Sequence, residues 1–153
     1  MYTGKVRVRV CGILIEDDKV LLLKHKGLGK GGHIWSFPGG GPNFGEDSQE
    51  CLKREFEEET GLLVEVQNFL FVNVYRDEHL HAVQLFFRVD KIGGQLSLGS
   101  DPELKEQILE DVQWIGDQEL NEIASINKHN IFSEIDDLSS ILKLTGYYNF
   151  DNS

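Results

Sequence analysis

The spacing of apolar and polar positions changes several times along the chain, and each change marks an element. Val6, Val8 and Val10 alternate with Arg7 and Arg9, the period of a strand with one apolar face. Apolar runs at residues 13–15 and 20–23 flank the polar stretch 16–19, which predicts a hairpin. A glycine-rich loop over residues 26–33 and the short apolar IWSFPGGG follow. The period then becomes helical. Asp47 with Glu50 three positions on resembles a capping box, Leu52 and Phe56 form an apolar i,i+4 pair, and Thr60-Gly61 supplies a stop, bounding a helix of about 13 residues. Strand patterns return over residues 63–75, 80–90 and 112–115, with a loop and short helical turn predicted at residues 101–110. Over residues 130–144, Ile131, Phe132, Ile135, Leu138, Ile141 and Leu142 recur at helical spacing, with Gly146 as the stop. Strands, a helix, strands and a final helix predict an α/β (α+β) fold, a mixed sheet with helices on both faces, in one domain over residues 1–153.

Composition narrows the functions open to such a fold. A chain of 153 residues can bury a full core without a metal or disulfide to hold it. Its 15 Lys and Arg against 26 Asp and Glu leave a net charge of −11, which argues against a phosphate-backbone binder and so against a nucleic-acid partner. Cys11 and Cys51 lie in apolar patterns without CxxC spacing, as reduced core thiols of a cytoplasmic protein do. No signal-peptide pattern opens the chain, and no apolar run approaches the roughly 20 residues of a membrane helix. The expectation is a soluble, cytoplasmic protein with no membrane partner.

The charge is concentrated where helix physics disfavours it. Residues 55–59 hold four glutamates at the C-terminal end of the predicted helix, where acids meet the negative end of the macrodipole at about 0.3 to 1 kcal/mol each. With Glu55 at zero, Glu59 falls at about +40° and Glu58 at about −60°, so three carboxylates share one arc. A solvated, salt-bridged face explains part of this, through the i,i+4 pairs Glu50–Arg54, Arg54–Glu58 and Lys53–Glu57. Glu55 and Glu59 are left over, and a cluster of hard oxygen ligands is what Mg²⁺ or Mn²⁺ requires. Both readings stand at this level.

Gly40, five residues, Glu46, seven residues and then REFEEETGL from Arg54 to Leu62 resemble a complete Nudix box, G-x5-E-x7-R-E-U-x-E-E-x-G-U with U apolar. Nine specified positions across 23 residues are filled, and WSFPGG and EDVQW extend the resemblance over residues 5–145. It implies a Nudix fold, an α/β/α sandwich around a mixed sheet. The implied activity is Mg²⁺-dependent hydrolysis, with Mn²⁺ as substitute, of a nucleoside diphosphate linked to a further moiety, by water attack at phosphorus. By the same resemblance Glu55, Glu58 and Glu59 bind metal or activate water, the Gly40 carbonyl joins the metal shell, and Arg54 orients Glu55. Glu46 is read as structural, contacting Arg54 or backbone amides. The general base is either a box glutamate or a downstream carboxylate among Glu103, Glu106 and Glu110, of which Glu110 is best placed. A catalytically silent Nudix-fold sensor is the alternative, against which the intact box speaks.

Substrate markers are weaker. Pro102 is the only proline after the box and Tyr75 falls early for a dinucleotide marker. Trp35, Phe37 and Tyr75 are candidates to stack a base, and Lys24, His25 and Lys30 to meet phosphate at the mouth of the glycine-rich loop. That loop lacks the GKS/T ending of a P-loop. His79 and His81 share a strand face with no further ligand at metal spacing, and read as surface or pocket residues. The expected partner is a nucleotide-derived small molecule; a homodimer stays open.

Overall fold

Asp17 and Asp18 both take left-handed backbone, with φ of 52° and 62°, and this two-residue turn closes the hairpin expected at residues 16–19. It joins strand β2 (Ile15–Glu16) to β3 (Lys19–Lys26) in the computed structural model, which describes residues 4–27, 30–99 and 108–153. β3 reads as a continuous apolar run because both its faces are covered: Val20 and Leu22 enter one core cluster and Leu21 the other. It pairs antiparallel with β4 (His33–Ser36) and β8 (Ile108–Ile115).

The remaining strands form a second sheet, so the strands divide between two sheets rather than gathering in one. Its order is β5 (Gly39–Gly40), β1 (Val6–Ile13), β7 (His81–Gly94), β6 (Leu62–Arg76) and β9 (Gly146–Asp151). This sheet is mixed, with β1–β7 and β6–β9 parallel and β1–β5 and β6–β7 antiparallel. Helix α1 (Ser48–Thr60) buries Cys51, Leu52 and Phe56 against Val10, Leu21, Val64 and Val89. The other core cluster holds Phe37, Phe71 and Phe86 and is covered by helix α2 (Asp117–Glu122) and the 3-10 segments after it. Cys11 and Cys51 are free and buried. Among the described residues no helix is long and apolar enough to cross a membrane.

Three expectations are corrected. The helix expected over residues 130–144 is two 3-10 segments, Asn130–Glu134 and Leu138–Lys143, separated at the extended Ile135 (φ −130°, ψ 151°). Asp137 recaps the chain by accepting the Ser140 N–H at 3.1 Å, the local competition by which Asp and Ser interrupt a helix. The helical spacing was nevertheless informative, since Ile131, Phe132, Leu138 and Ile141 are all buried. Gly146 opens β9 rather than ending a helix; that strand is held by parallel pairing with β6 and by ring contacts of Tyr148 with Phe71 and Phe150 with Tyr75. In β1 the alternation is real but its first half is turned over: Val6 and Val8 are 60% and 50% exposed, while Arg7 and Arg9 point inward and are half-buried. The loop expected at residues 101–110 falls mostly outside the described residues; residues 108–110 are strand.

Candidate active site

The last two turns of α1 carry the acidic cluster into the protein. Asp47 caps the helix start through the Gln49 N–H (2.9 Å), and Gly61 ends it in the left-handed region at φ 75°, donating to the Glu57 carbonyl at 3.0 Å. In that register Glu55 and Glu59 are fully buried and Glu58 is half-buried. Glu59 Oε1 accepts the Gly39 N–H at 2.9 Å. Gly40 lies so close that a Cβ on it would stand 2.5 Å from Glu55 Cδ and 2.6 Å from its Oε1. Strand β5 therefore admits only glycine where it passes the Glu55 carboxylate. The Gly40 carbonyl accepts the Cys51 thiol at 3.7 Å; burial, first, and the neighbouring Glu46 and Glu55 push that thiol up to about 12, so it stays protonated.

One guanidinium serves three of the carboxylates. Arg54 Nε and Nη2 donate to the two oxygens of Glu46 at 2.8 and 2.9 Å, and Nη1 reaches Glu55 at 2.9 Å and Glu58 at 3.3 Å. Glu46 also accepts the Asn43 N–H at 3.0 Å, tying the loop to the helix. The Arg54 hydrogen bonds, with that amide, hold the Glu46 carboxyl down at about 2. The helix end is covered too: the N–H groups of Gln95, Ser97 and Gly99 donate to the carbonyls of Gly61, Thr60 and Glu59 at 3.3, 2.9 and 2.9 Å. Carbonyls that would sit unpaired beside the glutamates are thereby satisfied. The i,i+1 contact of Arg54 with Glu55 and the reach back to Glu46 are invisible to helix spacing, which offers only i,i+3 and i,i+4 pairs.

The donor set fits a hard divalent cation. Among the described residues no three His, Cys, Asp or Glu side chains converge on one point. Mg²⁺ does not require that, since it is commonly held by one or two carboxylates with waters and substrate phosphates completing its shell. Two fully buried carboxylates one helical turn apart, pressed against a side-chain-free strand, with Glu58 at their edge, meet that requirement.

Beside this cluster lies a cavity of about 500 Å³ walled by Arg9, His25, Tyr75, Gln84, His129 and Phe150, among others. Arg9 belongs to both regions, because its Nη2 donates to the Gly39 carbonyl at 3.1 Å. Of the six residues proposed to meet substrate, Tyr75, His25 and Lys30 line the cavity. Phe37 does not: it is buried in the core, in ring contact with Phe86, Phe132 and His129. Trp35 and Lys24 are also outside the wall, since Ile34, Ser36 and His25 line it and neighbouring positions on a strand face the other way. Lys24 instead pairs with Glu110 at 3.1 Å. Glu110 occupies the extra position of a bulge, where β3 and β8 shift register between Lys24 and His25. Glu103, Glu106 and Pro102 lie outside the described residues.

Arg9, Gln84, His129 and Asn130 were passed over in the sequence. They sit at ordinary strand or loop positions, and only the packing of β1, β7 and the segment after α2 gathers them. His25 and His129 are buried, and burial, aided by the Arg9 charge, brings each down to about 3. Both are neutral in the folded protein, while the unfolded chain protonates them near 6.5. Stability is therefore full above pH 6.5 and falls as pH drops toward 3, by about 1.4 kcal/mol per unit for each histidine. Urea unfolding at pH 7 and pH 5 should differ by about 4 kcal/mol if the two act independently. A His25→Gln variant should halve the difference, and equal midpoints at the two pH values would contradict the assignment.

A family model for the NUDIX domain matches residues 5–133. An ADP-ribose pyrophosphatase from Methanocaldococcus jannaschii is 39% identical over 101 residues, covering 65% of this chain and 59% of that protein. An RNA pyrophosphohydrolase from Acinetobacter baylyi is 43% identical over 54 residues, covering 35% of this chain and 31% of that protein. The chain thus spans less than two thirds of these relatives. The crystal structure of a MutT NUDIX hydrolase from Burkholderia pseudomallei superposes with a TM-score of 0.68 at 21% identity, over 88% of this chain and 99% of that one, a likeness of fold.

Proposed function

We propose, since this chain belongs to the NUDIX family, that it hydrolyses the pyrophosphate linkage of a nucleoside diphosphate joined to a further group, with Mg²⁺ or Mn²⁺ at the α1 carboxylates. The observation that carries this reading is the continuity of the two regions through Arg9. A ligand whose nucleoside occupies the cavity reaches the acidic cluster past a guanidinium that already touches the Gly39 carbonyl.

Glu55, Glu59 and Glu58 would hold the ion, with the Gly40 carbonyl at their edge. Bound there, the ion would supply positive charge to the phosphoryl oxygens and lower the pKa of the attacking water. The chain's own part is positioning. Arg54 holds the Glu55 carboxylate, Glu46 holds Arg54, and Gly39 holds Glu59. Arg9 meets the phosphate nearest the nucleoside. Glu110, at the bulge and paired with Lys24 at 3.1 Å, is the candidate to accept the proton of the attacking water. The similarity to an ADP-ribose pyrophosphatase and an RNA pyrophosphohydrolase supports pyrophosphate chemistry on nucleotide-derived substrates.

The test is a panel of nucleoside triphosphates, ADP-ribose, other nucleotide sugars and dinucleotides, with Mg²⁺, with Mn²⁺ and in EDTA. At least one should be turned over, and only with metal. Tight nucleotide binding without turnover in either metal would instead favour a sensor. In the same assay Glu110→Gln should lower kcat by about 10²-fold or more; an unchanged kcat would move the base to Glu55.

A further inference from the structure

One backbone hydrogen bond sets the polarity of the cavity floor. The Ile131 N–H donates to His129 Nδ1 at 3.0 Å, so Nδ1 carries the lone pair and the proton of the neutral ring is on Nε2. Nε2 lies 2.8 Å from Gln84 and must face an acceptor, which fixes Oε1, not Nε2, of the Gln84 amide toward His129. The same oxygen accepts a second hydrogen bond, from Asn73 Nδ2 at 3.0 Å. Asn73 is oriented in turn by a reciprocal pair with Asn130, at 3.2 and 3.0 Å. Each amide is thereby locked against rotation. Both lone pairs of Gln84 Oε1 are used inside the protein, and Gln84 Nε2 donates to no group among the described residues while Gln84 lines the cavity.

We infer that Gln84 is a specificity-determining residue that meets the ligand only as a hydrogen-bond donor, so the cavity selects a base with an accepting edge, a 6-oxopurine, over a 6-aminopurine. A glutamine free to use both ends of its amide matches adenine, accepting from N6 and donating to N7. Here the accepting end is withheld. The edge of a 6-oxopurine offers O6 and N7, both acceptors, and suits a pure donor. Lys30, on the same wall, carries only donors and strengthens the preference. The Tyr75 and Phe150 rings, stacked at 5.8 Å, supply an apolar flank. The inference rests on the nucleoside occupying this cavity in the proposed hydrolase.

Equilibrium binding of inosine 5′-monophosphate and adenosine 5′-monophosphate to the full chain tests it without requiring turnover. The wild type should bind the inosine compound about tenfold more tightly. Gln84→Leu should bring the two within about twofold. Gln84→Glu keeps an oxygen toward His129 and Asn73 but presents an acceptor to the cavity, and should reverse the preference. His129→Phe removes one of the two donors that hold Gln84 Oε1, leaving the Asn73 contact, and should narrow the preference without reversing it. With a substrate found by the panel, in inosine and adenosine forms, the discrimination should appear in KM more than in kcat. Equal or tighter binding of the adenosine compound by the wild type overturns the inference, as does an inosine preference that survives Gln84→Glu, or failure of both compounds to bind. If no panel compound is hydrolysed, the hydrolase reading fails while the binding ratio still judges Gln84.

Discussion

Glu59→Gln should lower turnover by at least about 10³-fold, the equivalent of roughly 4 kcal/mol of barrier, while leaving the metal-free protein folded. The substitution keeps an oxygen for the Gly39 N–H, which Glu59 Oε1 accepts at 2.9 Å, and keeps the side-chain volume in a fully buried site. What it removes is one negative charge from the proposed metal position. Acids at a helix C-terminus are mildly unfavourable, so stability in EDTA should stay within about 1 kcal/mol of wild type. Mg²⁺ should then separate the proteins. An ion at 100 times its Kd stabilises the wild type by about 2.7 kcal/mol, and the variant should gain far less. Thermal melts in EDTA and in millimolar Mg²⁺ measure both terms. A variant that melts far below wild type in EDTA would show that the Glu59 charge holds the fold, and would remove it from the metal set.

Arg54→Met should cost about 3 to 5 kcal/mol of stability, a large part of the 5 to 15 kcal/mol that holds a typical domain. Arg54 is the cation for Glu46, for the fully buried Glu55 and for Glu58, at 2.8, 2.9 and 3.3 Å. Removing one partner of a buried pair leaves a charge in low dielectric without its counter-ion, which is costlier than removing the whole pair. Adding Glu46→Gln should recover part of the loss, because Glu46 carries two of the four short contacts. Arg54→Lys restores the charge but not the planar fork that grips Glu46, and should recover less than half. Urea midpoints for the four proteins decide it; a loss under 1 kcal/mol for Arg54→Met would mean that solvent screens the cluster. Turnover of Arg54→Lys should also fall, because Glu55 loses the contact that orients it.

The cap, the stop and the acidic arc of α1 were legible from residues 47–61 alone. These are local features, set by one backbone period and by side chains within a turn of each other, and they reappear as the Asp47 cap, the left-handed Gly61 and the buried Glu55 and Glu59. The hairpin at Asp17 and Asp18 and the long strands β6 and β7 were legible for the same reason. The region after residue 130 was half legible. Its apolar spacing correctly marked what is buried, but Asp137 and the serines beside it cap a new turn, so a helical period produced two 3-10 segments.

Which face of a strand is inside could be settled only in three dimensions. Val6 and Val8 alternate with Arg7 and Arg9, and hydrophobicity alone turns the valines inward; the structure turns the arginines in, because the carbonyl of Gly39 lies on that side. The cavity is the extreme case. Arg9, Tyr75, Gln84, His129 and Phe150 come from five separate segments brought together by the parallel β1–β7 and β6–β9 pairings, the antiparallel β6–β7 pairing and the packing of the segment after α2. No local period encodes such a meeting, because its register is chosen by the packing of both cores at once. The acidic helix was written in local sequence; the Gly39–Gly40 strand that passes it and the side chains that stand beside it were decided by the tertiary structure, because segments distant in the chain meet only once the sheets have closed.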